Sequence, residues 1–261
     1  MIKIGRWNRL KALRSTPPGV FLGDGQEEVL LPHKWVPRGL DQNDEIEVFI
    51  YRDSEQRMIA TTLKPYIEVG EFALLRVRET SSVGAFLDWG LEKDLFVPYR
   101  EQANSMIEGR GYLVYLYLDP KSNRLVASSR LYTFINNNDL TVDVGDKVDI
   151  IIADPIDIGY KVIVNGAHWG MVYRNEAYQE LRLGDRMEAY VKAIRDDNKI
   201  DLSLQRIGYD NVGTQADELM KQLRLAGGRL ELGDKSDAEV IKQQLKMSKK
   251  TFKKAAGLLY K

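Results

Sequence analysis

The chain has 261 residues, of which 44% are apolar, and it contains no cysteine and only two histidines. This length exceeds one ordinary small domain, and the composition is that of a folded chain, so several compact domains are expected. The lack of cysteine excludes disulfides, thiolate nucleophiles and Cys/His zinc sites. No stretch reaches the roughly 18 apolar residues of a membrane span, and residues 1–14 lack a secretory pattern. These features predict a cytoplasmic protein.

Positive charge is concentrated near the C-terminal end of the sequence. The whole chain holds 38 basic and 38 acidic residues, so its formal net charge is zero. Residues 211–261 hold 11 basic and 6 acidic residues, which gives this segment a net charge of +5. Because binding to phosphate requires an electropositive surface, the segment is a candidate for contact with nucleic acid.

Three divergent copies of one pattern precede this basic segment. Each copy opens at a glycine that leads into an alternating apolar strand, and a second glycine then starts another apolar run. The opening glycines are Gly5, Gly70 and Gly145, and the second glycines are Gly19, Gly84 and Gly159. Further strands are predicted at Val29–Pro32, Leu95–Pro98, Trp169–Tyr173 and Ile46–Ile50. The closing strands are predicted at Arg57–Thr62, Arg124–Ser129 and Lys199–Leu204. Five short strands in a unit of about 65 residues favour a small barrel over a sandwich.

The last part of the sequence changes to a helical period. Thr214 is the predicted N-cap of a first helix that stops at Gly227-Gly228, and Arg229–Leu232 is a predicted short strand. Ser236–Glu239 has the pattern of a capping box that opens a second helix, and Ser248 is the predicted cap of a third. The apolar faces of these two helices are predicted to hold Val240, Ile241, Leu245, Phe252, Ala256 and Leu259.

This order of elements resembles a winged helix, in which the third helix lies against nucleic acid. The third helix would point Lys249, Lys250, Lys253 and Lys254 outward, although such a run is often only a solvated face. A two-stranded wing would be expected beyond Lys261, where the sequence stops, so the chain is expected to be cut short.

The predicted fold is therefore mostly β with a C-terminal α module. Residues 1–64, 65–133 and 140–208 form three tandem five-stranded barrels, and residues 211–261 form a winged-helix-like domain. The Gly84-Ala85-Phe86-Leu87 run and the segment from Asp196 to Ser203 resemble the S1 RNA-binding domain, an OB-fold barrel. With Leu95-Phe96-Val97-Pro98 in the second copy, the whole arrangement resembles the bacterial conserved virulence factor B family.

The S1 resemblance implies a binding face with an aromatic on strand two, an aromatic or histidine at the end of strand three, and an Asp and Arg near the last strand. The strand-two position holds Phe21, Phe86 and Lys161 in the three copies. The strand-three position holds Pro32, Val97 and Tyr173. The acidic position holds Asp53, Asp119 and Asp196, and its basic partner is Arg57, Arg124 or Lys199.

The third copy offers further candidates around strands predicted to be exposed, namely Tyr160, Trp169, Arg174 and Lys192. The residues predicted to contact RNA are Phe21, Arg57, Phe86, Arg124, Lys161, Tyr173, Arg174, Lys192, Lys199, Lys249, Lys250, Lys253 and Lys254. Two alternatives stay open: the phenylalanines could pack inside the barrels, and the Asp–Arg pairs could order turns. Trp35 and Trp89 are expected to be packing lids.

No enzyme is predicted. The sequence has no phosphate-cradling glycine loop, no cluster of metal ligands and no nucleophile with a base, and neither a cofactor nor a metal is expected. His33 and His168 are expected to be packing or surface residues.

The function predicted from the sequence is sequence-tolerant binding of single-stranded RNA, on a composite face of the third barrel and the tail. The expected role is post-transcriptional regulation, and the family resemblance suggests virulence genes as targets. One alternative is a regulator whose winged module binds DNA and whose barrels bind protein. Another is a ribosome-associated scaffold.

Overall fold

A computed structural model of the chain describes residues 1–177, 180–205 and 212–260, without the side chains of residues 212–215 and 217. The chain divides into two compact units, Met1–Phe134 and Ile135–Lys261. The first unit contains two five-stranded sheets, and the second contains a five-stranded barrel and three helices. The predicted fold class, mostly β with a C-terminal α module, is confirmed.

The first sheet is a closed barrel, called barrel 1. Its strands are β1 (Trp7–Thr16), β2 (Gly19–Gly23), β3 (Glu28–Pro32), β4 (Glu45–Arg52) and β5 (Met58–Thr61). They are hydrogen-bonded in the order β1-β2-β3-β5-β4, and the pairing of β3 with β5 is parallel. Alternating side chains fill the interior, so that Val20 and Leu22 are buried on β2 while Phe21 between them is half-buried on the outer face.

The second sheet, called barrel 2, repeats this plan without closing it. Its strands are β6 (Phe72–Ser81), β7 (Gly84–Asp88), β8 (Leu95–Pro98), β9 (Gly111–Asp119) and β10 (Arg124–Ser128). The hydrogen-bonded order is β10-β9-β6-β7-β8, so β8 and β10 are the two edges of the sheet. On β8, the carbonyl of Val97 accepts a hydrogen bond from the Gln102 side chain at 3.1 Å.

The third sheet, called barrel 3, is closed in the same order as barrel 1. Its strands are β11 (Lys147–Ile156), β12 (Gly159–Val164), β13 (His168–Tyr173), β14 (Arg186–Ile194) and β15 (Ile200–Ser203). The segment before β11 is fastened to it by Asn137, whose amide donates to the carbonyls of Trp169 and Asn198 and accepts from the Trp169 N–H. Buried His168 bonds to Asn136 and Thr141, which agrees with the packing role expected of it.

The helices are α1 (Val212–Leu225), α2 (Ala238–Leu245) and α3 (Lys249–Leu259). Gly227 and Gly228 follow α1 with positive φ angles, as predicted, and Ser248 caps α3 by accepting from the Thr251 N–H. Thr214, the predicted cap of α1, instead lies inside the helix, two residues after its first residue. Its side chain lies outside the described residues, as does Lys261.

Three further details of the tail prediction are wrong. The N-cap of α2 is Asp237, which accepts from the Glu239 N–H, while Ser236 instead accepts from Gly233. Val240 and Leu259 are 41% and 36% exposed, and neither belongs to the apolar face predicted for its helix. Arg229–Leu232 is not a strand, because the described part of the tail contains no strand to pair with it; Leu230 and Leu232 pack against the helices instead.

One glycine contact recurs in all three barrels. The first residues of β2, β7 and β12 are Gly19, Gly84 and Gly159, which face Pro32, Pro98 and Tyr173 across the neighbouring strand. A Cβ atom on these glycines would lie 2.1 to 2.3 Å from the carbonyl oxygen of the buried residue before each partner. No side chain fits at that distance, so the close approach of strands two and three requires glycine.

Barrels 1 and 2 share one hydrophobic core. Phe49 and Tyr51 on β4 pack edge-on against Trp89 of barrel 2, with ring centroids 5.8 and 6.2 Å apart. Trp89 is 2% exposed, which agrees with its expected role as a packing lid. Polar contacts cross the same junction, since Lys93 Nζ donates to the carbonyl of Asp53 and Arg52 Nε to that of Asn123. The two barrels therefore form one structural block.

Among the described residues, no helix combines the length and the apolar character that crossing a membrane requires.

Replacement of Gly84 by alanine should destabilise barrel 2. Gly84→Ala would place a methyl group against the Val97 carbonyl oxygen, and we expect the free energy of opening of this sheet to fall by about 2–3 kcal/mol. Hydrogen–deuterium exchange of peptides from β7 and β8 measures the loss. The matched control is Gly233→Ala, because no atom lies within 4 Å of the added Cβ. Equal protection in the two variants would contradict the role assigned to Gly84.

Candidate nucleic-acid interface

The outer face of barrel 2 carries two aromatic rings beside a groove. Phe86 on β7 and Phe96 on β8 are cross-strand partners, both half-buried, with ring centroids 5.2 Å apart and planes inclined by 34°. The groove has a volume of about 690 Å³ and lies along the edges β8 and β10. Its basic residues are Arg52, Lys93, Arg100, Lys121 and Arg124. The predicted candidates Phe86 and Arg124 thus lie on one surface.

Phe96 was not predicted from the sequence. The strand-three position was assigned instead to Val97, the buried residue that follows Phe96. The register pairs Gly84 with Pro98, so Pro98 rather than Val97 corresponds to Pro32 and Tyr173. Val97 is fully buried in the barrel, whereas Phe96 projects outward. Once the pairing of Gly84 with Pro98 is known, strand alternation counted back from Pro98 identifies Phe96 as an outward residue.

The corresponding face of barrel 1 is covered by an ion pair. Phe21 faces Leu30 across the strands, and the guanidinium carbon of Arg14 lies 4.4 Å from the centre of its ring. Arg14 is held there by two hydrogen bonds to Glu28, at 2.8 and 2.7 Å. Phe21 is therefore outside the barrel core, as an S1 binding face requires, but one side of its ring already has a partner.

On barrel 3, Lys161 lies over a tryptophan. The ammonium nitrogen of Lys161 is 4.3 Å from the centre of the Trp169 ring, within the range of a cation–π contact. Tyr173 is half-buried, and its hydroxyl accepts from Arg195, which also pairs with Asp201 at 2.9 Å. Tyr160, predicted to be on the exposed face, is 4% exposed and belongs to the core. The correction follows from alternation along β12, since Tyr160 and Lys161 must point to opposite faces.

Arg174 and Lys192 already have partners within barrel 3. The Arg174 guanidinium donates to the carbonyl oxygens of Asp157 and Ile156, at 2.7 and 3.0 Å, and so orders the turn between β11 and β12. Lys192 pairs with Glu176. Arg174 and Lys192 therefore stabilise the surface of barrel 3 and also give it positive charge.

In the first two copies, the acidic residues near the last strand order turns. Asp53 accepts from the backbone N–H groups of Glu55 and Arg57 and from the Arg57 side chain, and these bonds hold the pKa of its carboxyl below the ordinary value despite partial burial. Asp119 accepts from Ser122 and from the N–H of Lys121, which lowers its pKa as well.

The second and third copies differ from the predicted pairing. Asp119 pairs with Arg100, at 4.0 Å, rather than with Arg124. Lys199 pairs with Asp197, at 2.6 Å, rather than with Asp196. Asn198 between them adopts a positive φ angle of 59°, so the turn places Asp197 beside the lysine.

A second cleft, of about 640 Å³, lies where barrel 3 meets the tail. Tyr160, Arg174, Ala177 and Glu180 line one side, and Glu239, Lys242, Gln243 and Lys246 of the α2 region line the other. Lys242 and Lys246 were not identified from the sequence, because only the fold brings them beside Arg174. Of the predicted tail lysines, Lys250, Lys253 and Lys254 are exposed, and Lys253 pairs with Asp234 at 3.5 Å.

Comparison with known families identifies domains in the chain. The S1 domain family matches residues 4–63 and 69–130, and the CvfB-like winged helix domain matches residues 217–261. Conserved virulence factor B of Staphylococcus aureus (strain USA300) is 27% identical over 241 residues, which cover 85% of this chain and 78% of that protein. The chain therefore contains S1 domains and a CvfB-like winged helix domain, and it is similar to the conserved virulence factor B proteins. The domains of these families are nucleic-acid-binding regulatory domains.

Two further proteins resemble this chain. Protein YitL of Bacillus subtilis (strain 168) is 29% identical over 259 residues, covering 93% of this chain and 84% of that protein. A solved multidomain protein with nucleic acid binding domains from Streptococcus pneumoniae TIGR4 is 23% identical, with a TM-score of 0.44, over 98% of this chain and 93% of that one.

The bonds of Arg174 predict a structural effect that is independent of any ligand. Arg174→Gln should speed amide exchange in the turn between β11 and β12 about fivefold, because the loss of two hydrogen bonds to the backbone removes about 1 kcal/mol of local stability. Hydrogen–deuterium exchange of the protein without RNA measures this change in exchange rate. Arg182→Gln is the control, since its side chain makes no such bond among the described residues. Unchanged exchange in Arg174→Gln would show that Arg174 does not hold the turn.

Proposed function

We propose that the chain is a cytoplasmic, non-enzymatic protein that binds single-stranded RNA and regulates gene expression after transcription, with virulence genes among its candidate targets. The segments 1–64, 65–133, 140–208 and 211–261 are proposed as its working domains. The proposal uses a general property of OB-fold barrels, in which bases stack on outward aromatic side chains while basic groups follow the phosphates.

The proposed binding surface is a composite of barrel 3 and the tail. The observation that carries it is the 640 Å³ cleft, because a residue of the barrel, Arg174, and two residues of the helical module, Lys242 and Lys246, line it together. Glu180 and Glu239 offset part of this charge, so the lining keeps a small positive excess. A strand of RNA in this cleft would contact both domains.

Barrel 3 and α3 supply the remaining contacts of the proposed surface. Trp169 with Lys161 above its ring, and Tyr173 with Arg195 at its hydroxyl, place aromatic and cationic groups together on the barrel. Such pairs suit unpaired bases, whose faces are free to stack, better than a duplex, whose bases are stacked on one another. The lysines of α3 extend the positive charge of the tail beyond the cleft.

Removal of the cleft lysines should weaken RNA binding and lower its dependence on salt. For Lys242→Gln/Lys246→Gln we expect affinity for a single-stranded RNA of about 20 nucleotides to fall about tenfold at 0.1 M salt. The slope of log K against log[salt] should fall by about 1.4, which is about 0.7 for each phosphate that a lysine no longer neutralises. Fluorescence anisotropy titrations across a salt series measure both quantities, with duplex DNA of the same length in parallel.

Two comparisons make this experiment decisive. Lys147→Gln/Lys221→Gln also removes two charges from the second unit, but neither residue lines the cleft, so its affinity should stay near that of the unchanged protein. Lys250→Gln/Lys254→Gln reports separately on α3. Tight binding of duplex DNA without preference for RNA would favour the DNA-binding regulator instead, and absence of all nucleic-acid binding would direct attention to protein partners or the ribosome.

A further inference from the structure

We infer that the outer face of strands β6 and β9 in barrel 2 is a docking surface for a partner protein, which binds there through an acidic segment with aliphatic side chains. This surface, called the β6–β9 face, consists of the outward residues Phe72, Leu74, Arg76, Gly111, Leu113 and Tyr115. It lies on strands one and four of the barrel, whereas Phe86 and Phe96 lie on strands two and three. The inference goes beyond the proposed function, because it involves no nucleic acid.

One half of the β6–β9 face is covered by the chain itself. Phe134 stacks on Tyr115 with ring centroids 4.3 Å apart, and Phe72, which is 2% exposed, lies 4.7 Å from the same ring. On the other half, Leu74 is 42% exposed and lies beside Gly111, where an added Cβ atom would be 3.4 Å from Leu74 Cδ1. The face is therefore a packing surface of which one half stays open to solvent.

The other two barrels are charged at the same positions. The residues equivalent to Leu74, Gly111 and Leu113 in the strand pairings are Arg9, Glu45 and Glu47 in barrel 1 and Asp149, Arg186 and Glu188 in barrel 3. All six are exposed, and Arg9 pairs with Glu45 at 2.7 Å. Charged side chains keep this face in contact with water in barrels 1 and 3. Leucines and a glycine at these positions indicate a different use of the face in barrel 2.

The turn before β9 adds a second exposed apolar side chain and is held rigidly. Ile107 is 49% exposed, and its N–H donates to the Tyr112 hydroxyl at 3.0 Å. The Gly109 N–H donates to the carbonyl of Val77, and the Val77 N–H donates to the carbonyl of Arg110, both at 2.9 Å. These bonds continue the pairing of β6 past the start of β9. The turn is thus preformed, which lowers the entropy that a partner would lose on binding to it.

The charge available at this face is positive. Arg76 and Arg110 are exposed and form no ion pair among the described residues. The neighbouring carboxylates already have partners. Glu108 accepts from a backbone N–H and a threonine hydroxyl, which lower the pKa of its carboxyl, and Asp88, opposite Arg76 on β7, pairs with Arg78 at 3.0 Å. Two arginines are left for carboxylates of a partner.

The side chains on the open half favour a protein over a nucleic acid. Leu74 and Ile107 are aliphatic, so they offer no ring on which a base can stack. Arginine beside apolar side chains is instead the composition enriched at the core of protein interfaces. A segment with Asp or Glu on either side of Leu, Ile or Val matches Arg76 and Arg110 in charge and Leu74 and Ile107 in polarity.

Selection from a random peptide library tests this chemistry. Phage-displayed peptides of about 12 residues are selected on the unchanged, intact chain, with counter-selection on Leu74→Arg/Gly111→Glu. This variant gives barrel 2 the ion pair that Arg9 and Glu45 form in barrel 1, and the nearest atom to the added Cβ belongs to Leu74, which is itself replaced. We expect enriched sequences that combine Asp or Glu with Leu, Ile or Val. Enrichment of other compositions, or of no sequence that distinguishes the two proteins, would overturn the inference.

Fluorescence anisotropy with a synthetic copy of the most enriched peptide measures the part of the arginines. Arg76→Gln/Arg110→Gln should weaken peptide binding about tenfold at about 0.1 M salt, because two ion pairs with the peptide are lost. Lys3→Gln/Lys11→Gln is the matched control, since it removes two exposed cations from barrel 1 and should leave the affinity unchanged. An equal loss in both variants would show general attraction to the chain and contradict the assigned face.

RNA titrations separate this inference from the proposed function. Leu74→Arg/Gly111→Glu should retain the thermal unfolding midpoint of the unchanged protein, and its affinity for the single-stranded RNA should stay within about twofold, because neither residue lines the cleft. If affinities for the peptide and the RNA fall together while the unfolding midpoint is retained, the face belongs to the RNA surface and the inference is wrong. Loss of peptide binding alone supports it, whether or not the cleft binds RNA.

Discussion

The contact between a strand-two glycine and the carbonyl of strand three is the constraint on which the binding surfaces depend. Gly19, Gly84 and Gly159 each let the neighbouring strand approach closer than any side chain would permit. This contact fixes the register of the two strands, and the position two residues later therefore points out of the barrel in every copy. Phe21, Phe86 and Lys161 occupy this position, so one backbone requirement supplies three comparable surfaces on which the side chains have diverged.

Local pairing of charges explains how a chain with zero net charge can bind a polyanion. Many of its cations are neutralised nearby, as Arg57 is by Asp53 and Lys199 by Asp197. Among the described residues, Lys121 and Arg124, beside Phe86 and Phe96, form no ion pair. The net charge of a chain therefore says little about its binding of anions when some of its cations are paired with carboxylates in turns and others are available to a ligand.

The sequence was sufficient wherever the fold is decided locally. Glycine spacing and strand alternation predicted the three β modules, and Ser248 predicted the start of α3. These patterns depend only on residues close to one another in the sequence. The errors arise where the structure of a segment depends on residues far away in the sequence. Arg229–Leu232 is not a strand because it has no strand to pair with, and Phe96 could be identified only from the pairing of β8 with β7. The cleft residues Lys242 and Lys246, and the position of Arg52 beside barrel 2, depend on packing between domains, which no local pattern encodes.

The shared core of the first two barrels also bears on how the chain is made. Phe49 and Tyr51 belong to barrel 1, yet their rings are buried against Trp89, which is translated about 40 residues later at roughly 5–20 residues per second. As barrel 1 leaves the ribosome, an apolar face of β4 stays without its cover until barrel 2 follows. The shared core can therefore form only after both modules have emerged, and a nascent chain halted between them would expose a surface suited to a chaperone.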